Sequence, residues 1–159
     1  MRNLGGLYML LASFIPSFAL GTPPITHAAQ QNKLIWVIAN RSVAATALSR
    51  EELRPIFQAR KTTWPDGSSV RPFNLAPTAY ARQAFDNAVL GLSPELMLRY
   101  WIDRRVRGDA HPPKSVSSDE IMLKVVKSSI GAIGYVEAAS VDSSVKVLAR
   151  LVGGQVMPP

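Results

Sequence analysis

The sequence contains no cysteine. A disulfide framework and a lipid-modified cysteine anchor are therefore excluded. Histidine is nearly absent as well: the chain has two, His27 and His111, far apart and without metal-ligand spacing. Serines are plentiful, but a serine nucleophile needs a base, and two isolated histidines hardly supply one. No G-x-S-x-G elbow, P-loop or G-x-G-x-x-G fingerprint occurs. The paired carboxylates Glu51–Glu52 and Asp103 with Asp109 read as helix-end and surface charge. These absences argue against an enzyme and imply neither a cofactor nor a metal.

Acidic charge is also scarce. Eleven Asp and Glu face 18 Lys and Arg, for a net charge of +7, and the basic residues are spread along the chain rather than gathered in one arm. Such a balance suits nucleic acid, an anionic membrane or a small anionic ligand. The tripeptide Arg107-Gly108-Asp109 matches an adhesion motif, but in so basic a chain it is unremarkable.

The chain further lacks an apolar run of the roughly 20 residues that a membrane span needs. The longest candidate, Leu7 to Leu20, is shorter and is interrupted by Ser13, Pro16 and Ser17. With Arg2 before it and small residues after it, this segment has the order of a secretory signal. Cleavage after Ala19 (Ser-Phe-Ala) or Ala28 (Thr-His-Ala) fits, with Ala28 preferred, giving a signal over residues 1–28 and a single domain over 29–159. Export makes nucleic acid an improbable partner and a periplasmic location the simplest one.

What is present is enough for one core: 159 residues, 47% hydrophobic and 18% charged. "KLIWVIAN" (33–40) reads as a strand covered on both faces. In "LSREELRPIF", Ser49 and Glu52 form a capping box, Leu48 and Leu53 occupy the staple positions, and Pro55 should kink or shorten the helix. "WPDGSS" reads as a tight turn. "VRPFNL" (70–75) is a short strand, placed by Pro72 at an edge or a terminal position. Ala81, Ala84, Phe85, Ala88 and Val89 mark a helix that Gly91 stops. Ser93 and Pro94 open another helix, on which Leu96, Met97, Tyr100 and Trp101 face one way and Arg104, Arg105 and Arg107 favour the C-terminal end. "HPPKSVSSDE" reads as a loop, and Ser117 with Glu120 as a second capping box. Gly131 falls at the helix end in a left-handed position, and Gly134, inside the buried strand "AIGYV", lets another backbone or a ligand approach. "VKVLARLV" is the last strand. Alternating helices and short strands predict an α/β fold: a three-layer α/β/α single lobe with a short mixed sheet.

The ordered set "VIANRSV", "LSREELRPIF", "TWPDGSSVRPFNL", "AFDNAVLGLSPELMLRYW" and "SSIGAIGYVEAASV" resembles the phosphate ABC transporter substrate-binding proteins of the type 2 periplasmic binding protein class. The resemblance runs from Leu34 to Val152, and its most specific parts are Ile56-Phe57 followed by Trp64, and Gly131–Tyr135. It implies a non-catalytic periplasmic binding domain, with phosphate or another small oxyanion as ligand. A membrane transporter or sensor protein, or a second copy of the chain, is the implied protein partner. Family members have two lobes, whereas this chain is long enough for one. They also carry an arginine, an aspartate and a Ser-Gly-Thr run at the start of the helix after the second strand, where this chain reads "NLAPTAYARQAF". The nearest substitutes are Asn74 at the strand end and Thr78, Tyr80 and Arg82 at the helix start, with the backbone N–H groups of Ala79, Tyr80 and Ala81 as anion donors. Two readings follow: weak or lost anion binding at that helix start, or a module that docks on another protein.

Overall fold

The computed structural model describes residues 33–159; the expected signal and both cleavage sites lie outside the described residues. Six strands form one mixed sheet in the order β3-β2-β4-β1-β5-β6. The strands are β1 (Ile35–Ala39), β2 (Arg71–Leu75), β3 (Lys114–Val116), β4 (Ala132–Glu137), β5 (Lys146–Val152) and β6 (Gln155–Met157). β2 runs parallel to β3 and β4, while β1 pairs antiparallel with β4 and β5, and β6 returns antiparallel to β5. The helices are α1 (Arg50–Phe57), α2 (Tyr80–Phe85), α3 (Pro94–Val106) and α4 (Asp119–Ser128).

β4 shows why the fold has three layers. Ala132, Ile133, Tyr135 and Val136 are fully buried, so both faces of the strand are covered. On one face Gly134 leaves room for α4: a Cβ there would lie 2.3 Å from Met122 Sδ. On the other, Tyr135 stacks on Phe85 of α2 at 4.0 Å and meets Phe57 of α1 at 5.8 Å, between ring centroids. Phe57 and Phe85 close the triangle at 4.5 Å. The close approach expected at Gly134 is thus made by a helix side chain, not by a backbone or a ligand.

The local signals of α1 hold in detail. Ser49 Oγ accepts from Glu52 N and the Glu52 carboxylate accepts from Ser49 N, while Leu48 and Leu53 are both buried. Pro55 cannot donate within the helix, and α1 ends two residues later. Trp64 is buried and its indole N–H donates to the Gly131 carbonyl at 3.0 Å, joining the turn at Pro65–Gly67 to the end of α4. Gly131 has φ +72°, the left-handed conformation expected of it.

Four expectations are corrected. Pro72 lies near the start of β2, but β2 is not an edge strand, because β3 forms within the segment read as a loop and covers it. Ser118, not Ser117, caps α4, accepting from Ile121 N at 3.3 Å. Leu96 points to solvent at 51% exposure, so Met97 and Trp101 carry the buried side of α3. β6 follows β5, pairing through the turn at Gly153–Gly154, where both glycines have positive φ.

Candidate functional site

The candidate site lies past the carboxyl end of β2, where the chain turns into α2. In open α/β sheets this is the region that receives ligands. Ala76 begins the turn, and the Ala79 N–H donates back to its carbonyl at 2.9 Å. α2 then starts at Tyr80 with Ala79 as N-cap, and no side chain accepts from the first-turn N–H groups. Thr78 is exposed beside them but does not cap the helix. Uncapped N–H groups at a helix start carry partial positive charge and favour an anion.

The other sequence-predicted residues occupy different positions. Asn74 is buried, and its Oδ1 accepts from the Tyr135 hydroxyl at 3.1 Å. That hydroxyl also accepts from Leu75 N at 3.4 Å, so Asn74 and Tyr135 fix the end of β2 from inside. Burial pushes the Tyr135 phenol pKa far upward, which keeps it a neutral donor. Ala81 is buried, backbone included, at 2% exposure. Tyr80 is half-buried, with Lys33 Nζ 5.9 Å from its ring centroid.

Arg82 points back into the fold. Its Nε pairs with Asp86 at 2.6 Å and its Nη1 donates to the Leu75 carbonyl at 3.2 Å, so it ties the end of β2 to α2. Burial raises the Asp86 pKa above its ordinary value, an effect that the neighbouring Arg82 charge only partly offsets. Asp86 Oδ1 is buried without a hydrogen-bond partner among the described residues. The helix continues beyond Phe85 as a π-helical turn, Asp86–Leu90, closed by the Gly91 N–H donating to Asp86 O at 2.9 Å. Between this turn and α3 lies a groove of about 630 Å³, lined by Arg82, Asp86, Leu92, Met97, Leu98 and Trp101 among others.

The Ala79 N–H, expected among the anion donors, is instead used within the turn on Ala76 O. The first-turn N–H groups without a side-chain cap are therefore those of residues 80–82. Asn74 and the Arg82 guanidinium, also expected at the site, bond to Tyr135 and to Asp86 and Leu75 O respectively. Sequence reasoning missed Asp86, the partner that turns Arg82 inward. Its spacing of four from Arg82 on a helix was the available signal.

No protein-family model and no curated protein matches the chain. Solved structures do match. An ABC-type phosphate transport receptor from Vibrio cholerae superposes with a TM-score of 0.57 at 22% identity, covering 78% of this chain and 52% of that one. A putative phosphate ABC transporter substrate-binding protein from Clostridium perfringens, with bound phosphate, gives 0.59 at 17% identity, covering 73% and 45%. PstS from Borrelia burgdorferi gives 0.56 at 13% identity, covering 76% and 51%. The fold is that of phosphate substrate-binding proteins. This chain spans about half the length of the phosphate-binding structures it matches.

Proposed function

We propose that the chain is an exported, non-catalytic, binding-protein-like domain of the periplasm that takes a small oxyanion such as phosphate weakly at the start of α2. The observation that carries this reading is the uncapped first turn at Tyr80, set at the carboxyl end of a strand in a fold shared with phosphate receptors. The N–H groups of Tyr80, Ala81 and Arg82 are the donors, and the Thr78 hydroxyl adds a fourth. Arg82 acts as a positioning residue, holding β2 to α2 through Leu75 O and Asp86. The net charge of +7 draws anions to the surface but does not select among them. A membrane transporter is the fitting protein partner for such a domain. The test is a phosphate titration followed by amide resonances: shifts at residues 78–82 support the reading, and no shift there at millimolar phosphate overturns it.

One observation favours a second reading, a module that docks on a membrane sensor, a transporter or a second copy of itself. Leu98, Ile102 and Val106 recur every four residues on α3 and are 62%, 53% and 81% exposed. Molecular mass in solution, with and without Ile102→Glu, tests the self-docking form.

A further inference from the structure

A second concave surface is built from α1 and α3 and uses none of the residues at the start of α2. Its volume is about 580 Å³, and its lining is Arg54, Gln58, Arg60, Tyr100, Arg104, Arg107 and Asp109. Four guanidinium groups thus converge on one recess that contains a single carboxylate.

The fold spends conformational strain in shaping this recess. After α1 the chain enters a left-handed turn at Ala59, with φ +51°, at a position where glycine is the usual residue. The N–H groups of Arg60 and Lys61 both donate to Pro55 O, at 2.8 and 3.0 Å, which folds Arg60 back beside Arg54. From α3, the Tyr100 hydroxyl donates to Gln58 O at 2.8 Å and pins the two walls together. Arg104 lies over the Tyr100 ring at 5.8 Å and donates Nη1 to the Tyr100 hydroxyl at 3.3 Å.

The charges here are not balanced internally. Arg107 pairs with Asp103 and lies 3.8 Å from Asp109. Among the described residues, Arg54, Arg60 and Arg104 enter no ion pair. Arg104 Nε is buried and has no hydrogen-bond partner among the described residues. A buried guanidinium N–H without an acceptor is costly, and an incoming oxyanion relieves that cost. Helix C-termini favour positive charge at Arg54 in the last turn of α1 and at Arg104 and Arg107 at the end of α3, but that effect requires neither Arg60 nor a shared recess.

We infer that this recess binds a ligand with clustered phosphate charge, two or more phosphate groups close together, free in solution or borne on a lipid. The rigid donor forks of arginine suit phosphate oxygens bidentately, and three unpaired guanidinium groups carry more positive charge than the roughly −1.5 to −2 of one monophosphate neutralises.

Isothermal titration of the purified protein with sodium tripolyphosphate at constant ionic strength, repeated with amide resonances, tests this. Shifts should cluster at Gln58–Arg60 and Tyr100–Arg107 and leave residues 78–82 in place, so the outcome is separate from that of the orthophosphate titration. Arg60→Gln, an exposed substitution, should weaken binding about tenfold, as loss of one charge-assisted hydrogen-bonding group implies. Arg104→Lys, which keeps the charge and loses the fork, should weaken it too, while Arg150→Gln should not. Unaltered circular dichroism of each variant separates lost binding from lost fold. Phosphatidylcholine vesicles containing cardiolipin distinguish the sources. Vesicle binding that tripolyphosphate displaces and Arg60→Gln weakens identifies a lipid phosphate, and binding of the soluble anion alone identifies a free polyphosphate. Tripolyphosphate affinity that is equal in Arg60→Gln, Arg104→Lys and wild type overturns the inference.

Discussion

Adding one methyl group at Gly131 meets two obstacles. The backbone there has φ +72°, and the new Cβ would lie 2.1 Å from Ser69 O and 3.4 Å from Trp64 Nε1. The conformation alone costs about 1 kcal/mol for a non-glycine residue, and the backbone oxygen cannot yield as a flexible side chain can. Gly131→Ala should therefore lower unfolding free energy by more than about 1 kcal/mol, with total loss of folding as the upper outcome. Urea denaturation measures it, and a variant as stable as wild type would contradict the assigned geometry. The conformation was legible in sequence because a glycine at the end of a capped helix has few other reasons to be there. Its partners were not legible, since Trp64 and Ser69 lie more than 60 residues away and only the folded sheet brings them to it.

Asp86 carries the residue-scale pH prediction, and its sign is opposite to that of most carboxylates. Burial raises its pKa in the folded state, so the folded protein binds this proton more tightly than the unfolded chain. The cost of the buried charge is present at neutral pH. It is relieved as pH falls through the raised folded value toward the ordinary carboxylate value of 3.8. The stability of wild type relative to Asp86→Asn should therefore rise as pH is lowered through that window. Denaturation of both proteins across a pH series measures the difference, and a difference that falls with acidification would show that Arg82 dominates instead.

At the scale of the element, the two capping signals had unequal outcomes for a physical reason. Ser49–Glu52 has one serine in register, and the helix starts where it must. At Ser117-Ser118-Asp119-Glu120 two serines compete, and Glu120 lies three residues beyond the first. The observed cap is Ser118, whose Oγ accepts from Ile121 N, while Asp119 turns to accept from Glu137 N at 2.8 Å and from Ser140 Oγ at 3.2 Å. A tertiary contact to the end of β4 thus decides the register that local pattern left open. Ser118→Ala should cost about 1 kcal/mol and Ser117→Ala close to nothing, since only the first removes a cap. Thermal unfolding of the two variants distinguishes them; a loss on Ser117→Ala with none on Ser118→Ala would place the cap at Ser117. β3 escaped notice for a related reason: three residues, Lys114–Val116, have no periodicity to read, and they form a strand only because β2 offers them an edge.

At the scale of the whole molecule, the governing fact is that the chain spans about half of the phosphate-binding structures it matches. The layer order and most elements were legible because buried strands and capped helices are local signals. The candidate site was only half legible. Backbone donors at a helix start follow from the position of the helix, but the direction of Arg82 depends on Asp86 and Leu75 O, which become neighbours on folding. With Arg82 paired inward, an anion at Tyr80 meets backbone dipoles and a hydroxyl, not a free counter-charge. Such a site stands open to water, so phosphate affinity should be near millimolar, about 4 kcal/mol of binding free energy. Its salt dependence should be shallow once ionic strength exceeds about 0.1 M, where the Debye length is about 10 Å and the surface field of the other basic residues is screened. Arg82→Ala should weaken binding by loosening the turn, and amide shifts without phosphate should already show that loosening at residues 76–82. Arg105→Ala, at an exposed position of α3, should leave both unchanged. Titrations of the three proteins at two ionic strengths read these effects together. If Arg82→Ala lowers affinity while the phosphate-free spectrum of the turn stays as in wild type, the guanidinium contacts the anion itself and the positioning role assigned to it is wrong.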